Sequence, residues 1–190
     1  MGGSDRRHIV DAGGRQVTRN ALNEKAILVV NTGSTSTKCS IFRIADEELV
    51  PVSAESISHT DGQLLDCPDI PSQKPLRQSG VEAFLESALP SGMSIAAIGA
   101  IGGMLLPVPS GVIAIDRGLA SFCLESPVYH HASNLAAPIA HEMGLRLGCP
   151  SYAVDPVGVD EMNAMARISG SPLFPRFSFV HALNIRATAR

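Results

Sequence analysis

AILVVNTGSTSTKCSIFRI, running from Ala26 to Ile44, is two apolar runs joined by a polar turn. The first run, Ala26–Val30, has no polar alternation, the pattern of a strand covered on both faces. The second, Cys39–Ile44, reads as another strand. Between them, Asn31–Thr37 is a Gly/Ser/Thr-rich loop followed at once by Lys38. Gly33 lets the backbone turn tightly and approach a ligand closely. Ser34, Thr35, Ser36 and Thr37 offer hydroxyls, the turn offers amides, and Lys38 offers a positive charge. That combination suits phosphate oxygens. It is not a Walker loop, which has a second glycine before the lysine and a helix after it. On the residues alone, an ordinary polar hairpin turn is the competing reading.

Outward from this stretch, Val50–Ile57 reads as a third strand and residues 59–76, with three prolines, as a loop. Gly80–Leu89 has Val81, Phe84, Leu85 and Leu89 on one helical face. Ser94–Ile101 is an apolar strand running into Gly102–Gly103, and Gly111–Ile115 is a short strand. Asp116 is placed to cap a helix through Leu124, and Ser133 or Asn134 to cap one through Leu147. Ser151–Val154 reads as a strand ending at Asp155, and Gly158–Ile168 as a helix closed by Gly170. His181–Arg190 is helical in character with no stop signal, which implies a chain cut inside a larger protein. Strands first, then strands alternating with helices, predict an α/β fold.

The chain has 190 residues, 45% hydrophobic and 17% charged, with a net charge of -3 and no long run of one sign. That is enough chain for a core without disulfides or metals. It lacks the clustered basic surface of a nucleic-acid binder. Cys39, Cys67, Cys123 and Cys149 have no C-x-x-C spacing, and they read as reduced thiols of a cytoplasmic protein. No apolar run reaches the roughly 18 residues of a membrane span. Residues 1–25, polar and Gly/Arg-rich, read as a flexible extension or a misplaced start.

ILVVNTGSTSTK is very similar to the first phosphate-binding loop of the acetate and butyrate kinase family, within the superfamily of actin-like ATPases and sugar kinases. HASNLAAPIA (His131–Ala140), AVDPVGVDEM (Ala153–Met162), ARISG (Ala166–Gly170) and FVHALNIRATAR (Phe179–Arg190) resemble the butyrate kinase branch, in order. The resemblance covers residues 26–190. It implies the N-terminal domain of a carboxylate kinase, cut before a nucleotide-binding second domain. The implied fold is an actin-like (ribonuclease H-like) open mixed sheet with helices packed against it. The implied reaction is ATP + butyrate to ADP + butyryl phosphate, with magnesium and ATP, in the cytoplasm. The implied partners are a short-chain carboxylate, ATP, the missing C-terminal domain and a second copy in a homodimer, with neither nucleic acid nor membrane.

By the same resemblance, Asn31, Ser34, Ser36 and Lys38 bind phosphate. Their physical role is positioning and charge neutralisation, most of what phosphoryl transfer demands. Asp155 matches the family's active-site aspartate. A carboxylate substrate is already a nucleophile, so the fitting role for Asp155 is organising magnesium, directly or through water. An Asp-Pro turn of no catalytic importance is the plainer alternative. His181 matches a family histidine thought to contact the transferring phosphoryl group, where it would donate a hydrogen bond to developing charge. A helix cap or surface role is its plainer alternative. His131 and Asn134 read as helix-capping residues, and Arg167 as a partner for Asp160 or Glu161. Two positions depart from the pattern. Ile101 stands where these kinases carry an arginine before Gly-Gly, and Gly158 where they carry a bulkier apolar residue. The departures leave two other readings open: a catalytically inactive fragment or binding module, and a kinase for another short-chain acid.

Overall fold

The computed structural model describes residues 9–10, 16–17, 24–101, 103, 105–125, 127, 129–178 and 182–189. Two short strands, β1 (Ile9–Val10) and β2 (Gln16–Val17), form an antiparallel ladder of their own. The expectation of a flexible extension over residues 1–25 otherwise lies outside the described residues, up to Glu24.

Ala26–Ile44 folds as read, with longer strands. β3 (Glu24–Thr32) and β4 (Ser36–Ala45) are antiparallel, with Asn31 opposite Lys38 and Thr32 opposite Thr37. β5 (Glu48–Ser58) pairs antiparallel with β4. β6 (Met93–Ile101) lies parallel to β3 on its other side, and β8 (Ser151–Val154) lies parallel to β6. β7 (Val112–Ala114) closes the edge antiparallel to β8. The sheet order is β5-β4-β3-β6-β8-β7, an open mixed sheet as expected.

Helices pack on one face of this sheet. α2 (Lys74–Ala88) lies over β4 and β5, and α4 (Ala136–Leu147) over β3, β6 and β8. α3 (Arg117–Glu125) packs against α4. Leu28, Val30, Cys39, Ile41, Ile98, Ala100 and Ala153 point to that face and are buried with Val81, Leu135 and Ile139. Burying each large side chain contributes about 1.5–3 kcal/mol. The opposite face is half-open, with Ile27, Val29 and Phe42 only half-buried and Lys38 and Ile101 exposed. The expectation that Ala26–Val30 is covered on both faces is therefore corrected. Its burial alternates along β3, because the helices of this part of the chain sit on one side.

Three other expectations change. Residues 59–76 are not a loop. Thr60 and Gln63 form a reciprocal capping box that starts α1 (Asp61–Leu65). A 3-10 turn, Pro71–Gln73, then leads into α2, with Pro75 in the first turn, where a missing N–H costs least. The helix read from Gly80 thus begins at Lys74. The helical segment after residue 130 is capped by His131, as one reading of the sequence has it, and not by Ser133 or Asn134. It opens as a 3-10 turn, Ala132–Leu135, continuous with α4. Gly158–Ile168 is not a helix. The Val108 amide donates to the Gly158 carbonyl at 3.3 Å and the Asp160 amide to the Val108 carbonyl at 2.8 Å, so tertiary bonds take backbone groups a helix would use, while the Asp160 side chain pairs with Arg167 at 2.8 and 3.1 Å. Asp116 caps α3 as read, accepting the Leu119 amide at 2.8 Å. α5 (Ala182–Thr188) bears out the helical character of the final segment.

Candidate functional site

β3, β6 and β8 run parallel, and Asn31, Ile101 and Val154 stand side by side at their carboxyl ends. Strands lie about 4.8 Å apart, so about 10 Å of sheet separates Asn31 from Val154. Open α/β sheets bind ligands at this end. The turn after β3, Gly103 after β6 and Asp155 after β8 all open there.

The turn itself is closed by Gly33 N–H donating to the Ser36 carbonyl at 2.8 Å. The amides of Ser34 and Thr35 have no acceptor among the described residues. Within the same residues, the side chains of Asn31, Ser36 and Lys38 make no hydrogen bond or ion pair. They are free to serve a ligand. Lys38 is exposed and shares the open face with Asn31 and Ile101, its neighbours in the ladder.

Two histidines flank the turn. His131 Nδ1 accepts from the Ser133 amide at 3.2 Å, which leaves Nε2 as the ring nitrogen facing the turn. That Nε2 lies 3.5 Å from Ser34 Oγ, at the outer limit of a hydrogen bond. The start of the helical segment is anchored here, since Thr32 Oγ1 donates to the Ala132 carbonyl at 2.8 Å. A helix N-terminus beside the loop adds positive potential. On the other side, Thr37 Oγ1 lies 2.9 Å from His59 Nε2, and the His59 amide donates to the Thr35 carbonyl at 2.8 Å. Burial, and then the nearby Arg77 charge, hold the His59 pKa below its ordinary 6.5.

Arg77, from α2, is the largest fully buried side chain in the molecule's described part. Its guanidinium donates to the Ser36 carbonyl at 3.1 Å, the Ser34 carbonyl at 3.0 Å and Thr37 Oγ1 at 3.3 Å. Gln73 Oε1 accepts the remaining bonds at 3.2 and 2.9 Å. Sequence reading missed both Arg77 and His59. An arginine in the first turns of an amphipathic helix, and a histidine before a proline-rich stretch, carry no local signal of a loop 20 to 40 residues away.

Asp155 has a left-handed backbone, φ 43°, directly before Pro156. Such a conformation in a non-glycine residue is a strain often found at functional sites. Asp155 Oδ1 accepts the Gly111 amide at 2.8 Å, and the Asp155 amide donates back to the Gly111 carbonyl at 3.0 Å. Among the described residues no group of three or more His, Cys, Asp or Glu is arranged to hold a metal. A single carboxylate with a free second oxygen fits magnesium that arrives with phosphates and keeps its waters. It does not fit a resident all-protein cage. His181 lies outside the described residues.

An apolar cleft of about 430 Å³ is lined by Leu105, Leu106, Val108, Ile113, Leu119 and Phe122. Ile113 pairs with buried Ala153, so the cleft is on the helix side of the sheet, opposite the face to which Lys38 points. All four cysteines are free thiols, and burial pushes Cys39 up to about 12, with Glu55 adding to the effect, and Cys123 to about 11. Neither is a nucleophile at neutral pH. Among the described residues no helix is long and apolar enough to cross a membrane.

No family model matches the chain. A protein of Coprothermobacter proteolyticus named "Probable butyrate kinase" is 42% identical over 164 residues, covering 86% of this chain and 45% of that protein. A "Probable butyrate kinase" of Thermotoga petrophila is 38% identical with the same coverage of each. A crystal structure of acetate kinase from Entamoeba histolytica superposes with a TM-score of 0.49 at 15% identity, covering 87% of this chain and 46% of the other. The chain spans about half the length of the curated relatives it matches. It is a homologue of the proteins named probable butyrate kinase, related to them along most of its own length and less than half of theirs.

Proposed function

We propose that this chain supplies the phosphoryl-binding half of a carboxylate kinase acting on butyrate, ATP + butyrate to ADP + butyryl phosphate. The observation that carries the reading is the turn after β3. Its free amides, its hydroxyls and Lys38 gather at the carboxyl end of the sheet, in the same row as Asp155. Asn31, Ser34, Ser36 and Lys38 bind and orient the phosphoryl oxygens, with His131 Nε2 beside the Ser34 hydroxyl. Asp155 holds magnesium, through water or directly. When bound, the metal neutralises phosphate charge. The butyrate carboxylate attacks without a general base, because it is already ionised at neutral pH. His181 donates to the transferring group. The nucleotide pocket belongs to the portion of the relatives that this chain does not match, and the whole assembly works as a cytoplasmic homodimer.

Ile101 favours a second reading, an inactive or weakly active chain. It is exposed in the row between Asn31 and Val154 and brings no charge to a site that handles phosphate. One experiment separates the readings. Residues 24–190 are joined to the unmatched part of the Coprothermobacter proteolyticus relative. Acyl phosphate formation from magnesium-ATP is then followed with acetate, propionate, butyrate and isobutyrate. Butyrate as the best acceptor is expected, with Ile101→Arg raising the rate about 10–100-fold, as single oxyanion-type donors do. The 190-residue chain alone is expected to give no turnover. A flat acceptor profile, or faster transfer to a sugar, overturns the butyrate assignment. Silence from both the hybrid and its Ile101→Arg form favours the inactive reading.

A further inference from the structure

Arg77 is fully buried, and all five of its N–H groups are used: two bonds go to Gln73 Oε1, and one each to the Ser34 carbonyl, the Ser36 carbonyl and Thr37 Oγ1. None of these acceptors is charged. Among the described residues no carboxylate lies within ion-pair distance of it, although four other cations have such partners. Burying a cation without a counter-charge is expensive, and proteins normally place an Asp or Glu beside it. Here the neighbour is Gln73, one atom from being a glutamate. His59, which bonds Thr37 beside the guanidinium, has its pKa lowered and offers no negative charge. An uncompensated positive charge therefore sits directly behind the turn.

We propose that Arg77 is a positioning residue of the phosphate loop whose lone buried charge is completed by the bound phosphoryl anion. This rests on the reading of the turn as a phosphate site. Two consequences follow from the geometry. By drawing the Ser34 and Ser36 carbonyls inward, the guanidinium turns negative ends of the peptide dipoles away from the ligand and leaves the Ser34 and Thr35 amides free. Its full charge, screened little by water, adds to the potential of Lys38 on the outside. A glutamine at position 73 keeps the bonds while leaving the charge unspent.

The test uses the whole chain with inorganic pyrophosphate as probe, following the amides of Ser34–Lys38 by two-dimensional NMR, with melting temperature recorded for each variant. The informative change is Gln73→Glu. It keeps both bonds to the guanidinium and adds the missing counter-charge. The expected result is an equal or higher melting temperature with pyrophosphate bound roughly tenfold more weakly, the size of effect one buried charge exerts at this range. Ser87→Glu adds the same charge at an exposed position about 15 Å along α2 and is expected to leave binding unchanged. Arg77→Lys should keep part of the affinity that Arg77→Met loses. If Gln73→Glu binds pyrophosphate as well as the unaltered chain, or better, Arg77 is only a structural brace and the inference fails while the loop reading stands. If the unaltered chain shows no shift at Ser34–Lys38, both fall together.

Discussion

His59 is 6% exposed and depends on its neutral form to sit between Thr37 and Arg77. Its folded pKa is lowered, while the unfolded chain takes up a proton near 6.5. Its contribution to stability is therefore fully present above 6.5 and is lost as pH falls below that value toward the folded pKa. The melting temperature should drop between pH 7.5 and 5.5, and His59→Gln should flatten that slope. An equal slope in the variant would place the titration elsewhere. At this scale the sequence told a good deal about the turn. Asn31, Ser34, Ser36 and Lys38 lie in one short stretch, and a hairpin leaves such residues together whatever else the chain does. Nothing local told that Arg77 or His59 would meet them, because those contacts span 22 to 43 residues.

Elements were legible where apolar periodicity is strong. β3, β4 and β6 each extend the predicted run by one to three residues at an end. The segment 158–168 misled, because a pattern with helical spacing was claimed by other partners. The Val108 amide donates to Gly158 at 3.3 Å, and Asp160 donates to Val108 at 2.8 Å. Gly158 is what allows the two segments to come this close. A Cβ built there would lie 2.6 Å from the Leu105 carbonyl oxygen, well inside normal contact. Gly158→Ala should cost about 1–3 kcal/mol in denaturant unfolding, the range of overpacked positions. A neutral effect would mean that residues 105–108 shift freely. Gly158 thus acts first on how two loops pack. The same contact shapes the cleft, since Leu105, Leu106 and Val108 are among its walls.

For the whole molecule, β3 and β4 are the strands bonded on both sides by long ladders, and their inward residues are among the most buried. Amide exchange should be slowest there. It should be fast in α1, which buries no residue, and in residues 161–178, which have no strand or helix. Comparable protection in 161–178 would show a second stable unit that the burial pattern does not reveal. The sequence by itself determined the α/β class, the hairpin with its polar turn, and the resemblance to the proteins named probable butyrate kinase. These are carried by side-chain periodicity and by neighbours along the chain. Only the tertiary structure decided that the helices cover one face of the sheet, and that the turn, Ile101 and Asp155 share one row. It alone put a buried arginine, with no carboxylate at ion-pair distance among the described residues, behind the loop. Strand order and helix docking are set by which faces bury the most apolar surface together, and that is a property of the packed chain, not of any one segment.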